Sequence, residues 1–133
     1  MNQTMGFEVR LDAAPDEAID QVTEALKAEG FGILTRIDVD QAFKEKIGED
    51  FRPYTILGAC NPSLAHAALS SEPELGLMLP CNVTVEAAGE GSLVRIVDPD
   101  VMMSVGNLGK DETVREVARD ARKRLLRVAD VLN

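Results

Sequence analysis

The segment Tyr54-Thr-Ile-Leu-Gly-Ala-Cys-Asn-Pro62 is an apolar run that leads directly into a helix-start signal, Asn followed by Pro. A second apolar run, Leu77-Met-Leu-Pro-Cys-Asn-Val83, follows after a short interval. Asn accepts free backbone N–H groups and Pro suits the first helical position, so the first segment predicts a strand followed by a helix. The chain's 2 cysteines, Cys60 and Cys81, therefore lie at the end of one predicted strand and in the early part of the next, each followed by asparagine.

Hydrophobic periodicity outward from these segments predicts the order β-α-β-α-β-α-β-β-α along the chain. Predicted strands cover residues 5–11, 31–39, 54–59, 77–87 and 93–97, and predicted helices cover residues 15–29, 41–47, 62–71 and 111–132. The Gly-rich loop at residues 88–92 predicts a hairpin between the last two strands. This order predicts an α+β fold, in which a single mixed β-sheet has helices packed on one face. We expect residues 1–133 to form a single domain.

The chain is acidic and poor in aromatic residues. Its 23 acidic and 14 basic residues give a formal net charge of -9, and aromatic residues make up 4% of the sequence. Nucleic-acid binding depends mainly on Lys and Arg that neutralise phosphates, and single strands also need aromatic side chains on which bases stack. The composition therefore predicts no nucleic-acid partner.

The N-terminal sequence Met1-Asn-Gln-Thr-Met-Gly6 lacks the basic and apolar regions of a signal peptide. No apolar run approaches the ~20 residues that a helix needs to span a bilayer. We therefore expect a cytoplasmic protein without a membrane partner, in which the reducing environment keeps both cysteines as thiols.

The two cysteines are the first candidates for chemistry. Cys60 directly precedes a predicted helix start, where the helix dipole favours a thiolate, so its position predicts a lowered pKa. If the two strands are antiparallel neighbours, the end of one meets the start of the next and the sulfurs approach. If they are joined by a parallel crossover, Cys81 lies about 10 Å or more away, at ~3.3 Å per residue. The alternative is that both are small buried side chains without a chemical role.

Three further groups could hold a ligand. Met102 and Met103 add thioethers that, with the cysteines, suit Cu(I) or a haem iron, although Met pairs also fill irregular gaps. Asp98 and Asp100 bracket a proline and could bind a hard cation, but Asp-Pro is first a turn signal. His66 is the only histidine, and the helical spacing predicts that it lies on the exposed side of its helix.

A set of short motifs identifies a family resemblance. They are Ile56-Leu-Gly-Ala-Cys-Asn-Pro62, Ala65, Ala68-Leu69, Glu72-Pro73, Gly76-Leu77, Leu79-Pro-Cys-Asn-Val83 and Asp98-Pro99. With these motifs the chain resembles, over nearly its whole length, the family catalogued as domain of unknown function 302. The resemblance implies an α+β domain that commonly associates as a homodimer, and it implies no settled activity.

The positions that match the family pattern are Cys60, Asn61, Pro62, Glu72, Pro73, Pro80, Cys81 and Asn82. The chain departs from that pattern at Glu86-Ala87, where an aromatic residue is expected, and His66 is not part of it.

Three functions fit these observations. The first is a binding module in which Cys60, Asn61, Cys81 and Asn82 hold a small molecule, haem or a soft metal between protomers. The second is a thiol-based redox protein, in which the thiolate of Cys60 attacks and Cys81 resolves. The third is a structural or protein-interaction domain without chemistry. No Gly-rich phosphate loop, Gly-x-Ser-x-Gly element or His-Glu-x-x-His element is present, so whether the protein is an enzyme stays open.

A homodimer also follows from the expected architecture. A single sheet with helices on one side leaves its other face in need of cover. The sequence offers apolar strand residues for that second face, namely Val83, Val85, Leu93 and Ile96.

Overall fold

A computed structural model describes residues 4–133 and contains five strands and five α-helices. The strands are β1 (Gly6–Leu11), β2 (Gly32–Asp38), β3 (Tyr54–Cys60), β4 (Cys81–Ala88) and β5 (Gly91–Val97). The helices are α1 (Pro15–Ala28), α2 (Val39–Ile47), α3 (Pro62–Ser71), α4 (Pro99–Met102) and α5 (Glu112–Leu132). Two 3-10 helices lie at Pro73–Met78 and Leu108–Lys110.

Side-chain caps define the starts of α3, which lies between the two cysteine segments, and of α5. Asn61 Oδ1 accepts a hydrogen bond from the Leu64 N–H at 3.2 Å, and Asp111 Oδ1 accepts one from the Val114 N–H at 3.0 Å. Strand β4 was expected to begin at Leu77 but begins at Cys81, because the preceding residues form a 3-10 helix. Cys81 is therefore the first residue of its strand.

The sheet has the strand order β1-β5-β4-β3-β2, and all four pairings are antiparallel. The predicted α+β class with a single sheet is confirmed. The sheet was expected to be mixed, but among the described residues it is antiparallel throughout. Strands β1, β2 and β4 run in the same direction. No two of these three strands are neighbours, because β5 separates β1 from β4 and β3 separates β4 from β2.

The core lies between the sheet and helices α1 and α5. Successive strand residues point to opposite faces, so Val83, Val85 and Ile96 share one face with Val94, and all four are fully buried. Their partners are apolar side chains of α1 and α5, including Val22, Leu26, Leu125 and Val128. The assignment of Val83, Val85 and Ile96 to an uncovered second face was therefore wrong; of that set only Leu93 lies on the face away from α1 and α5.

That second face carries charge in the middle of the sheet. Arg95 donates to Glu8 at 3.2 Å and to Glu86 at 3.1 Å, and Arg52 donates to Glu86 at 3.2 Å. Glu86 is only 7% exposed, because the two guanidinium groups cover its carboxylate. The residue that departs from the family pattern is thus the centre of an ion-pair network.

None of the helices between residues 4 and 133 combines the length and the hydrophobicity needed to cross a bilayer.

Candidate functional site

A pocket of about 300 Å³ lies where β3 ends and β4 begins, between that edge of the sheet and helices α3 and α5. We call it the thiol pocket. Its wall consists of Phe31, Leu34, Thr35, Ala59, Cys60, Asn61, Leu64, Ala65, Ala68, Leu69, Leu75, Leu79, Pro80, Cys81, Met103, Val117 and Ala121. Four alanines in this set leave room that longer side chains would fill. None of the wall residues carries a charge.

The antiparallel pairing of β3 and β4 brings the two cysteines together. Ala59 pairs with Cys81, and Cys60 is the next residue at the end of β3, so the backbones of the two cysteines lie close to each other. Both cysteines are free thiols and both line the pocket. The antiparallel alternative of the sequence prediction is therefore the one that the fold adopts.

Burial keeps both thiols protonated at neutral pH. It raises the pKa of Cys81 to about 11, with a smaller contribution from the repulsion that a charged Cys60 would exert. Burial also raises the pKa of Cys60. The expectation of a lowered pKa at Cys60 was wrong, because the loss of water around the sulfur outweighs the effect of the nearby helix start.

Asn61 is both a helix cap and part of the pocket wall. Its Oδ1 accepts the Leu64 N–H, and its Nδ2 lies against Gly30, where an added Cβ would come within 2.8 Å. Gly30 has a φ of +84°, a left-handed conformation that glycine adopts without strain. The carbonyl of the preceding residue, Glu29, accepts a hydrogen bond from Arg124 of α5 at 3.1 Å. These contacts connect the start of α3 to the end of α1 and to α5.

Asn82, the fourth residue of the predicted site, does not line the thiol pocket. It pairs with Gly58 and is exposed on the face opposite to that of Cys81, because neighbouring strand residues alternate in direction. Pro80 and Thr35 lie close over Gly58 on that face. The structure therefore brings Cys60, Asn61 and Cys81 together and places Asn82 apart from them.

Of the remaining candidate residues, one lines the thiol pocket and the others lie elsewhere. Met103 lines the thiol pocket, whereas Met102 is buried in the neighbouring apolar cluster and is not part of the wall. His66 is exposed on α3, as predicted. Asp98 accepts hydrogen bonds from Arg122 at 3.2 Å and from the Asp100 N–H at 3.0 Å, so it caps α4 and pairs with a cation of the protein itself.

Sequence reasoning missed most of the apolar wall. The stripe Leu64, Ala65, Ala68 and Leu69 is visible at helical spacing in the sequence, and it forms the α3 side of the pocket. Leu34 gave no such signal, because it reaches the wall from an irregular part of β2.

Among residues 4–133 there is no group of three or more His, Cys, Asp or Glu side chains placed to hold a metal ion. Three soft donors line the pocket, the sulfurs of Cys60, Cys81 and Met103.

The fold and the pocket define a small α+β domain with an apolar cleft that carries two protonated thiols. A family model described as "Domain of unknown function DUF302" matches residues 7–132, and the chain belongs to this family, as its motifs predicted. A crystal structure of an uncharacterized conserved protein DUF302 from Bacillus stearothermophilus is similar to it, with 27% identity and a TM-score of 0.86. That alignment covers 98% of this chain and 100% of the other. No curated protein matches the chain.

Proposed function

We propose that this protein is a binding module that holds a small, uncharged and mainly apolar molecule in the thiol pocket. The observation that carries the proposal is a cleft of about 300 Å³ with an apolar wall. Small-molecule sites are typically clefts with a mainly apolar wall and a few polar groups, and the thiol pocket has this composition.

The size of the cleft indicates the size of the ligand. Ligand sites span roughly 300–1,000 Å³, which puts this pocket at the small end of the range. An engineered apolar cavity of about 150 Å³ binds benzene. The thiol pocket, at about 300 Å³, accommodates a molecule such as a bicyclic aromatic or a short branched hydrocarbon.

The pocket wall also indicates the charge of the ligand. A buried charge without a partner is costly, and the wall contains no charged side chain that would pair with one. The net charge of -9 further disfavours the approach of anions. The apolar wall therefore supports an uncharged ligand, and the net charge argues against an anion in particular.

The thiol-redox alternative has less support. A thiol must ionise to act as a nucleophile, and burial raises the pKa of both Cys60 and Cys81. A redox role for Cys60 would therefore need conditions that expose its sulfur to water.

A soft metal is the second candidate ligand, and one observation favours it: Met103 joins Cys60 and Cys81 on the same wall. Thiolate and thioether sulfur select ions such as Cu(I). Such an ion would have to displace the thiol protons, so its affinity should rise with pH.

A haem is less well supported, because its four-pyrrole macrocycle is large for a cleft of about 300 Å³. Elemental analysis and an absorption spectrum of the purified protein would detect either group.

We further propose that the module works as a cytoplasmic homodimer. The reducing cytoplasm would keep Cys60 and Cys81 as the free thiols of the pocket wall. The measurement that checks the dimer is sedimentation at micromolar concentration, where we expect a mass of about twice 14.4 kDa.

Binding of naphthalene tests the proposed function. We expect saturable shifts of the methyl signals of Leu75 and Met103 in NMR spectra as naphthalene is added. Ala65→Phe should abolish these shifts, because the new ring would occupy the pocket from α3. Ala67→Phe is the matched control, since Ala67 lies on the same helix but is exposed and outside the wall.

A wild-type protein that shows no saturable shift, or an Ala65→Phe variant that binds as well as the control, would remove the apolar-ligand proposal. Thermal melting of both variants checks that each is folded.

A further inference from the structure

The thiol pocket has an exposed mouth and a buried floor. Leu34 of β2 and Leu69 of α3 line the pocket but are 66% and 36% exposed, so they lie at its mouth. We call the buried wall residues the floor. It includes Phe31, Cys81 and Met103, which are 3%, 5% and 5% exposed. A ligand that enters past the two leucines therefore reaches these three side chains at the greatest depth.

Three floor side chains interact with an aromatic ring in a way that the aliphatic ones do not. Phe31 carries a ring, and aromatic rings attract each other in offset or edge-to-face arrangements beyond the gain from buried area. The sulfurs of Cys81 and Met103 are polarisable, and sulfur makes favourable contacts with aromatic rings. Cys60, which is half-buried on the same wall, adds a third sulfur. A saturated ring has no π electrons and gains none of these contributions.

The protonation state of the thiols supports the same preference. Burial raises the pKa of both Cys60 and Cys81, so each sulfur carries its proton at neutral pH. A neutral S–H group presents a partly positive hydrogen, which the negative face of an aromatic ring attracts. A thiolate would instead repel that face. The two thiols are therefore in the form that suits an aromatic neighbour.

We propose that the ligand of the thiol pocket is aromatic, and that Phe31, Cys81 and Met103 select it over a saturated molecule of the same size. This inference rests on the proposed function and names the class of ligand within it. Buried area alone predicts no such selection, because a saturated ring offers at least as much apolar surface as an aromatic ring with the same number of carbons. A preference for the aromatic ring therefore reports on the floor of the pocket.

Paired titrations with benzene and cyclohexane test the selection. The dissociation constant of each ring is measured from the saturable shifts of the Leu75 methyl signals in NMR spectra. Each affinity is then divided by the partition coefficient of that ring between water and hexane, which removes the difference in hydrophobicity between the two molecules. On this corrected scale we expect the wild type to prefer benzene by about 4-fold or more, from the ring of Phe31 and at least one sulfur.

Met103→Leu isolates the contribution of one sulfur. It replaces a thioether by an alkyl group of similar volume, so we expect the corrected preference for benzene to fall by about 2- to 10-fold while the affinity for cyclohexane stays nearly the same. Met102→Leu is the matched control, because Met102 is also buried but does not line the pocket. Cys81→Ala is a second variant, which adds no bulk and should lower the preference in the same direction.

A wild type that binds both rings equally on the corrected scale would overturn the proposal. So would Met103→Leu and Cys81→Ala variants that melt as folded proteins and keep the full preference of the wild type. Either result leaves the proposed function intact, because the pocket still binds apolar molecules. If neither ring binds, the proposal is overturned as well, and the naphthalene titration shows whether the proposed function fails with it.

Discussion

At the scale of single residues, the buried thiol of Cys81 makes the stability of the protein depend on alkaline pH. Its pKa in the folded protein is about 11, above the ordinary value of 9.0, so the folded state holds its proton to higher pH than the unfolded chain does. Where the folded state binds more protons, the free energy of unfolding falls as pH rises. The contribution of Cys81 is therefore fully present below pH ~9 and is lost between about pH 9 and 11.

We expect the free energy of unfolding to fall over that window by at most about 3 kcal/mol on account of Cys81, since each pKa unit corresponds to about 1.4 kcal/mol. Cys81→Ala should flatten this part of the pH profile more than Cys60→Ala, because Cys81 is the more deeply buried of the two. Urea unfolding at pH 8, 9.5 and 11 measures the effect. If the free energy of unfolding falls equally with pH in the wild type and in Cys81→Ala, Cys81 is not the cause of the fall.

The two asparagines that follow the cysteines offer a second test at this scale. Asn61 caps α3, and replacing a capping Asn by Ala typically costs about 0.5–2 kcal/mol. Asn82 is exposed on a strand, away from the pocket. We expect Asn61→Ala to lower the free energy of unfolding by about 1 kcal/mol or more, and Asn82→Ala to change it by less than about 0.5 kcal/mol. Chemical denaturation of the two variants side by side would show the difference, and similar losses would refute it.

At the scale of elements, the start of β5 lies so close to the end of β1 that only glycine fits. A Cβ on Gly91 would overlap the carbonyl of Leu11 and come within 3.4 Å of the Asp12 Cα, which are backbone atoms that cannot rotate away. Gly32 of β2 has no atom within 4 Å of such a Cβ. We expect Gly91→Ala to destabilise the protein by about 1–3 kcal/mol, as overpacking does. Gly32→Ala should be near neutral, and equal melting temperatures of the two variants would contradict this account.

The elements also show which features a single sequence can reveal. The cap of α3, the apolar periodicity of α5 and the Gly-rich turn before β5 are local signals, and each predicted its element. The 3-10 helix before Cys81 and the short helix α4 lack periodicity, because so few turns cannot display an apolar stripe. The predicted strand therefore began too early, at Leu77.

At the scale of the whole molecule, the sequence could not show which face of the sheet the helices cover or how deeply the cysteines are buried, because both depend on the packing of distant elements. The alternation of Val83 and Val85 showed that the two share a face, but only the strand order shows that this face lies under α1 and α5. The pKa of Cys60 depends likewise on its burial in the fold, which local sequence context does not contain. The motifs, by contrast, identified the family correctly, because they are read along the chain without regard to packing.

Leu34 belongs to the edge strand β2 and also lines the thiol pocket. A ligand that contacts Leu34 and a chain that pairs with this edge would influence one another, and thermodynamic reciprocity requires that each change the affinity of the other by the same factor. Occupancy would then depend on the concentration of the protein as well as on that of the ligand.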